Sequence, residues 1–372
     1  MFTLRQYLLA LLDSRGLTRT LGEIDVCRDE QGRPCFSAGN SAAVFRIRLG
    51  GRIRSLRCYL RPMRHLKEIY GQRLLEKELY LHTSPETGVW VDTVLGDWIE
   101  GSTLHETVAQ AAALRDRESL QILVRLFDRL ALALVTDNRA HGDLKPENII
   151  VGDDGTLCPI DFDASYLPAF AGEISPELGT AAYQHPARTA ADFDERIDDY
   201  PSALISTALH ALAEDPTLWD RYGSSDGLLY TPQRIASDPA YRETLALFEK
   251  RGMAVQYRIA QLLTAPTLRL FGLAELLAEA VREKPAVRSG TEAETPELFV
   301  ENGRWGYRTA ERVVVAPLYD NGFDFTEGLA AVQLGGTWHY IDTTGRTCLS
   351  FPECEAVKPF RNGRAQVVRN GC

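Results

Sequence analysis

The chain has 372 residues, 45% of them hydrophobic and 25% charged, with a formal net charge of −10. That is longer than one average domain and apolar enough for a proper core, while the acidic balance excludes the overall positive field of a nucleic-acid binder. Seven cysteines without a C-x-x-C pair speak against a zinc or disulfide framework; with no stretch as long as a membrane span and no secretory leader in residues 1 to 13, a cytoplasmic protein without membrane or nucleic-acid partners is expected.

Leu4, Leu8, Leu11 and Leu12 share one helical face, so residues 3 to 13 are expected to form an amphipathic helix docked on the body of the protein. From Gly22 the pattern turns to short strands. Phe45, Ile47 and Leu49 alternate with Arg46 and Arg48, and Gly50-Gly51 turns the chain back into Arg52–Tyr59. Period two then places Ser55 and Arg57 on one face. The arginines from Arg46 to Arg64 read either as the solvated face of this sheet or as a patch for an acidic substrate. A helix is expected from about Leu66 to Leu81, a buried strand from Trp90 to Leu95, and a core helix over 117 to 137 on the spacing of Leu120, Leu123, Phe127, Leu130 and Leu134.

That helix delivers the chain to His141-Gly142-Asp143-Leu144-Lys145-Pro146-Glu147-Asn148. Ile149-Ile150-Val151, a turn at Gly152–Gly155 and Leu157–Ile160 then read as a hairpin that returns Asp161-Phe162-Asp163 to the same place. The stretch resembles the catalytic loop and D-F-G of the protein kinase-like superfamily. The resemblance implies an α+β, two-lobed kinase-like fold that uses ATP and Mg²⁺. Asp143 would be the base, Lys145 a contact to the transferred phosphate, and Asn148 and Asp161 the metal ligands.

Upstream, Gly39 and Val44 stand where the family has its glycine-rich phosphate loop, and Arg57 where it has a phosphate-pairing lysine. Glu76 is the expected acid partner of Arg57, with Glu68 and Glu78 as alternatives. Asp97 and Ile99 would offer backbone groups to adenine, and Gly96 would be the gatekeeper. Three departures stand out. Gly142 replaces the arginine that receives a phosphorylated activation loop, so that switch is not expected although Ser165, Ser175, Thr180 and Tyr183 lie nearby. Asp163 replaces a glycine, with a backbone or capping role preferred over metal binding. Ala187 replaces the glutamate after Gly179–Pro186, a segment resembling the peptide-positioning loop. His185 reads as a structural histidine, and Asp198 as a cap on the catalytic loop.

Helices over residues 240 to 283, including Leu268 to Val281, complete the large lobe. The expected division is a helix in 1–19, a kinase-like domain in 20–285 (small lobe 20–97, large lobe 98–285), a linker in 286–297 and a β domain in 298–372. In the last of these, Asn302–Tyr307 recurs as Gly335–Asp342 and Phe325–Val332 as Phe360–Val367, a period of about 33 to 35 residues with glycine-containing turns. It resembles WG repeats, with Trp305 and Trp338 as repeat core and a protein partner implied. The function implied is transfer of phosphate to a Ser or Thr of a protein. The alternatives are a pseudokinase acting as a scaffold, because of Arg57, Asp163 and the depleted glycine loop, or a kinase-fold enzyme acting on a small molecule.

Overall fold

A computed structural model of the chain describes residues 1–152, 154–282, 295–310, 312–351, 354–360 and 365–368. The chain divides into two compact units, Met1–Lys284 and Pro285–Cys372. Most of the expected linker and the Asn362-Gly363 turn lie outside the described residues. Among those residues no helix is long and apolar enough to cross a membrane.

The first unit begins with α1 (Leu4–Leu12), started by a capping box between Thr3 and Gln6. It lies on a sheet of six strands: β1 (Asp25–Val26), β2 (Phe36–Ala38), β3 (Ala42–Leu49), β4 (Arg52–Tyr59), β5 (Leu74–His82) and β6 (Gly88–Asp97). All pairs are antiparallel, in the order β1-β3-β4-β6-β5, with β2 also on β3. Tyr7, Ala10 and Leu11 of α1 pack with Ala43, Phe45, Ile47, Leu56, Cys58, Leu79 and Leu81 of the sheet, and the Tyr7 hydroxyl donates to the carbonyl of Tyr59 at 2.6 Å. The helix therefore docks as expected, but on Tyr7 and not on Leu12, which is exposed.

The helix expected over 66–81 is a correction. Only α2 (Leu66–Tyr70) forms, followed by a single tight turn at Gly71–Arg73, and the rest is strand β5. Leu, Glu and Lys are good helix formers, but here the open edge of β6 captures them, and tertiary pairing outweighs intrinsic preference. Gly71, at φ 54° and ψ −125°, ends the helix. Lys77, at φ 51°, marks an irregularity in the register between Leu75 and Leu79.

A second, three-stranded sheet joins β7 (Gly101–Thr103), β8 (Ile149–Gly152) and β9 (Leu157–Pro159), so the hairpin after the His141–Asn148 loop forms where it was expected. Gly101 is required there, because a Cβ would stand 2.1 Å from the Val151 carbonyl oxygen. The remaining body is helical: α3 (Leu104–Ala113), α4 (Arg117–Thr136), α5 (Asp199–Glu214), α6 (Leu218–Tyr222), α7 (Pro239–Arg251), α8 (Ala254–Leu262) and α9 (Leu273–Arg282). Nearly all of α5 is buried, and Asp128 of α4 accepts from Ser206 at 2.7 Å and meets His210 at 2.8 Å, tying the two central helices together. The last helix starts at Leu273 and not Leu268 because Gly272 takes φ 82° before it.

The second unit is all-β. β10 (Glu297–Glu301), β11 (Arg304–Arg308) and β12 (Val313–Tyr319) form one sheet, and β13 (Asn321–Gly322), β14 (Leu329–Leu334), β15 (Thr337–Asp342) and β16 (Thr347–Phe351) another. Ala356–Val357 and Val367–Val368 make a third pair. The internal repeat has a physical basis. Tyr307 and Tyr340 are both fully buried, their hydroxyls donate to the Phe323 carbonyl at 2.7 Å and the Lys358 carbonyl at 2.6 Å, and their rings meet Phe325 and Phe360.

Candidate active site

The loop His141–Asn148 is set by groups outside the expected catalytic set. Asp198, at the start of α5 and only 1% exposed, accepts the backbone N–H groups of His141 and Gly142, which is the capping role expected of it. The His141 ring lies against Phe162 and meets the Ile160 carbonyl at 2.8 Å. Gly142 takes φ 82°, and a Cβ there would be 2.0 Å from the carbonyl oxygen of Ala164. The missing arginine is thus enforced by the main chain.

Four side chains converge next to this cap. Asn148 Nδ2 donates to the Asp143 carbonyl at 2.9 Å and to Asp143 Oδ2 at 3.2 Å. Asp143 Oδ1 accepts the Thr180 N–H. Lys145 Nζ stands 3.2 Å from Asp143 Oδ2 and donates to Thr180 Oγ1 at 2.8 Å. Gly179 makes the approach possible: it lies at φ 72°, and a Cβ would come within 3.0 Å of Asp143 Oδ1. Thr180 stood in the sequence within the segment resembling the peptide-positioning loop and among the phosphorylation candidates; its bond to Asp143 was not foreseen, and the adjoining glycine was the signal for it. Ser165, Ser175 and Tyr183 are buried.

On the small-lobe side the register Val44↔Arg57↔Val94 puts Arg57 on the sheet face opposite α1. Its partners correct the sequence reading. Glu76 lies in β5, its side chain 62% exposed, and pairs with Lys67 at 3.4 Å. The helix that would have carried it to Arg57 does not form. Glu78, an alternative, is 1% exposed and accepts the backbone N–H groups of Arg19, Thr20 and Leu21. Glu68 is exposed on α2.

Arg57 instead reaches the loop after β9. Its Nε and Nη2 donate to Asp163 Oδ2 at 3.0 and 2.6 Å, and Nη2 also donates to Asp161 Oδ1. The other Asp163 oxygen accepts from Tyr70 at 2.6 Å and Tyr59 at 3.1 Å. Asp163 is therefore an ion-pair partner and not the backbone cap that was expected. Burial opposes the charge of Arg57, but Asp161 and Asp163 outweigh it and raise its pKa above the ordinary arginine value.

Gly39 closes the β2–β3 turn, its N–H donating to the Ala42 carbonyl at 2.9 Å. Asp97 ends β6 and is still paired with Arg54. Its carbonyl accepts the Ser55 hydroxyl at 3.1 Å, and the Ser55 oxygen fills the space a Gly96 side chain would need. Ile99 follows in the irregular link to β7. Near the loop, His185 meets the Ala265 carbonyl at 3.1 Å, a structural contact, and Arg188 is buried against the Gly142 carbonyl at 3.1 Å.

The oxygen donors fit Mg²⁺, a hard cation that takes carboxylate and amide oxygens. Asn148 uses its nitrogen on Asp143, and Asp161 is 38% exposed. Among the described residues no three His, Cys, Asp or Glu side chains form a metal cluster, so a metal here would rest on Asn148, Asp161 and the phosphates it accompanies.

The chain is similar to Ser/Thr protein kinases over about half its length. It is 28% identical over 213 residues to serine/threonine-protein kinase PknL of Mycobacterium tuberculosis, covering 54% of this chain and 52% of that one. It is 28% identical over 171 residues to CBL-interacting protein kinase 17 of Oryza sativa subsp. japonica, 44% of this chain and 35% of that one. Against serine/threonine-protein kinase chk1 of Schizosaccharomyces pombe it is 25% identical over 160 residues, 42% of this chain and 31% of that one. The chain thus spans about half or less of the length of these relatives. The WG containing repeat family matches residues 308–338 and 340–371. The fold is consistent with a kinase-like unit followed by WG repeats.

Proposed function

We propose that the first unit is an ATP- and Mg²⁺-dependent phosphotransferase acting on a Ser or Thr hydroxyl of a protein, and that the WG repeats bind a protein substrate or partner. The observation that carries this reading is the mutual tie of Asp143, Lys145, Asn148 and Thr180. Asp143 Oδ2 takes the proton of the attacking hydroxyl, while Asn148 and the Thr180 N–H keep its carboxylate from rotating away. Lys145 places positive charge beside the oxygen being phosphorylated. Arg57 anchors the nucleotide's phosphates, Gly39 and Val44 lie over them, and the backbone of Asp97 and Ile99 meets the adenine. When bound at Asn148 and Asp161, Mg²⁺ supplies neutralisation of phosphate charge.

A second reading, a pseudokinase, is favoured by one observation: Arg57 is already engaged by Asp161 and Asp163. Transfer of radiolabelled phosphate from ATP in the presence of Mg²⁺, to the chain itself or to an added Ser/Thr protein, separates the two. Label that disappears in Asp143→Asn supports the enzyme. Thermal stabilisation by ATP without any transfer selects the pseudokinase, and a product adduct heavier than phosphate rejects both.

A further inference from the structure

Arg57 is 12% exposed on the side chain, so its charge needs partners inside the protein. The carboxylate on α2, Glu68, is exposed, and the residue α2 brings to the cluster is Tyr70, a neutral hydroxyl that bonds Asp163. The acid arrives from the opposite direction, on the loop after β9. Asp163 is 3% exposed and has four bonds: two from the guanidinium on one oxygen and two tyrosine hydroxyls on the other. Such a carboxylate has little freedom to rotate. It presents the guanidinium plane in one orientation while Nη2 holds Asp161.

We propose that Asp163 is a positioning residue for Arg57, so that the small lobe's phosphate anchor is assembled from the Asp161–Asp163 loop without any movement of a helix. This rests on the reading of Arg57 as the phosphate anchor. A planar fork is needed for the arrangement: a lysine has one nitrogen on a longer flexible stem and cannot bond Asp163 through two nitrogens while reaching Asp161. Arg57 and Asp163 are therefore a matched pair, and either residue that resembles the kinase pattern more closely, lysine at 57 or glycine at 163, performs worse when introduced alone. The charges of Arg57, Asp161 and Asp163 sum to −1, so the cluster still favours an incoming cation.

The test is ADP binding to the full chain, by calorimetry with and without Mg²⁺, for wild type, Asp163→Asn, Arg57→Met and the double variant. Asp163→Asn keeps an acceptor for the tyrosines but turns an amide nitrogen toward the guanidinium. It is expected to weaken ADP about tenfold, with the double variant no weaker than Arg57→Met alone, because Asp163 acts through Arg57. Arg57→Lys is expected to weaken binding as well, and Tyr70→Phe, which leaves the Arg57 bonds in place, to weaken it less; these two keep the test open if Asp163→Asn fails to fold. Wild-type affinity in Asp163→Asn, additive losses in the double variant, or tighter binding in Arg57→Lys overturns the proposal while leaving the phosphotransferase reading intact. A wild type that takes up no ADP overturns both.

Discussion

The two halves of the candidate site differ from the kinase pattern in different ways. On the catalytic-loop side the residues that differ, Gly142 and Ala187, leave the geometry of Asp143, Lys145, Asn148 and Thr180 closed on itself by hydrogen bonds. On the small-lobe side the whole support of Arg57 has changed: the helix is short, its expected acid is in a strand, and the guanidinium is held by Asp163. A hydrogen-bonded loop of this kind keeps its geometry where the side chains that differ make none of its bonds. A long-range ion pair between an arginine and a distant helix does not survive loss of the helix, and another carboxylate has to replace it.

Asp143→Asn should give the largest effect on the Asp143 side, a loss of about 10²–10⁴ in transfer rate with ADP affinity nearly unchanged. A fall in affinity equal to the fall in rate would place Asp143 in nucleotide binding. Gly142→Arg is expected to destabilise the fold by about 3 kcal/mol or more, because a left-handed backbone angle and a collision with the Ala164 carbonyl add together. Denaturant titration measures it, and an unaltered midpoint would show that the main chain can move aside.

Glu78→Ala should cost about 2 kcal/mol, since three backbone N–H groups lose a buried acceptor. Asp199, buried at the head of α5, has its pKa pushed up to about 7, first by burial. The folded protein therefore holds a proton that the unfolded chain has released, and stability should fall as pH rises from about 4 to 7. Asp199→Asn should flatten that slope, as melting temperatures across the window would reveal. Glu76→Ala should be silent, within about 0.5 kcal/mol and without effect on ADP affinity. A clear loss there would restore Glu76 as the partner of Arg57.

Much of the first unit was legible because its signals are local. The spacing of Asp143, Asn148 and Asp161 and the hairpin between them depend on neighbours in sequence or on one short loop, whereas the Asp198 cap, 57 residues from His141, was legible only through the resemblance. The Gly50-Gly51 turn and the strands it joins were readable from local signals too. Residues 74–82 were not, since Leu, Glu and Lys at those positions satisfy a helix until β6 offers them an edge. The Arg57–Asp163 bond joins residues 106 apart in the chain and depends on where that helix ends, so no spacing could announce it. Tyr59 and Tyr70 carry no motif. Their part in the site follows only from the Asp163 oxygen they share.

Position 142 has an evolutionary consequence. Because no side chain fits against Ala164 there, a single codon change cannot install a phosphate receptor at that place; selection for such a switch would first have to redraw the path of residues 162 to 165. A saturation library at 142 should return glycine alone, and any route to control by covalent charge must enter the molecule somewhere else.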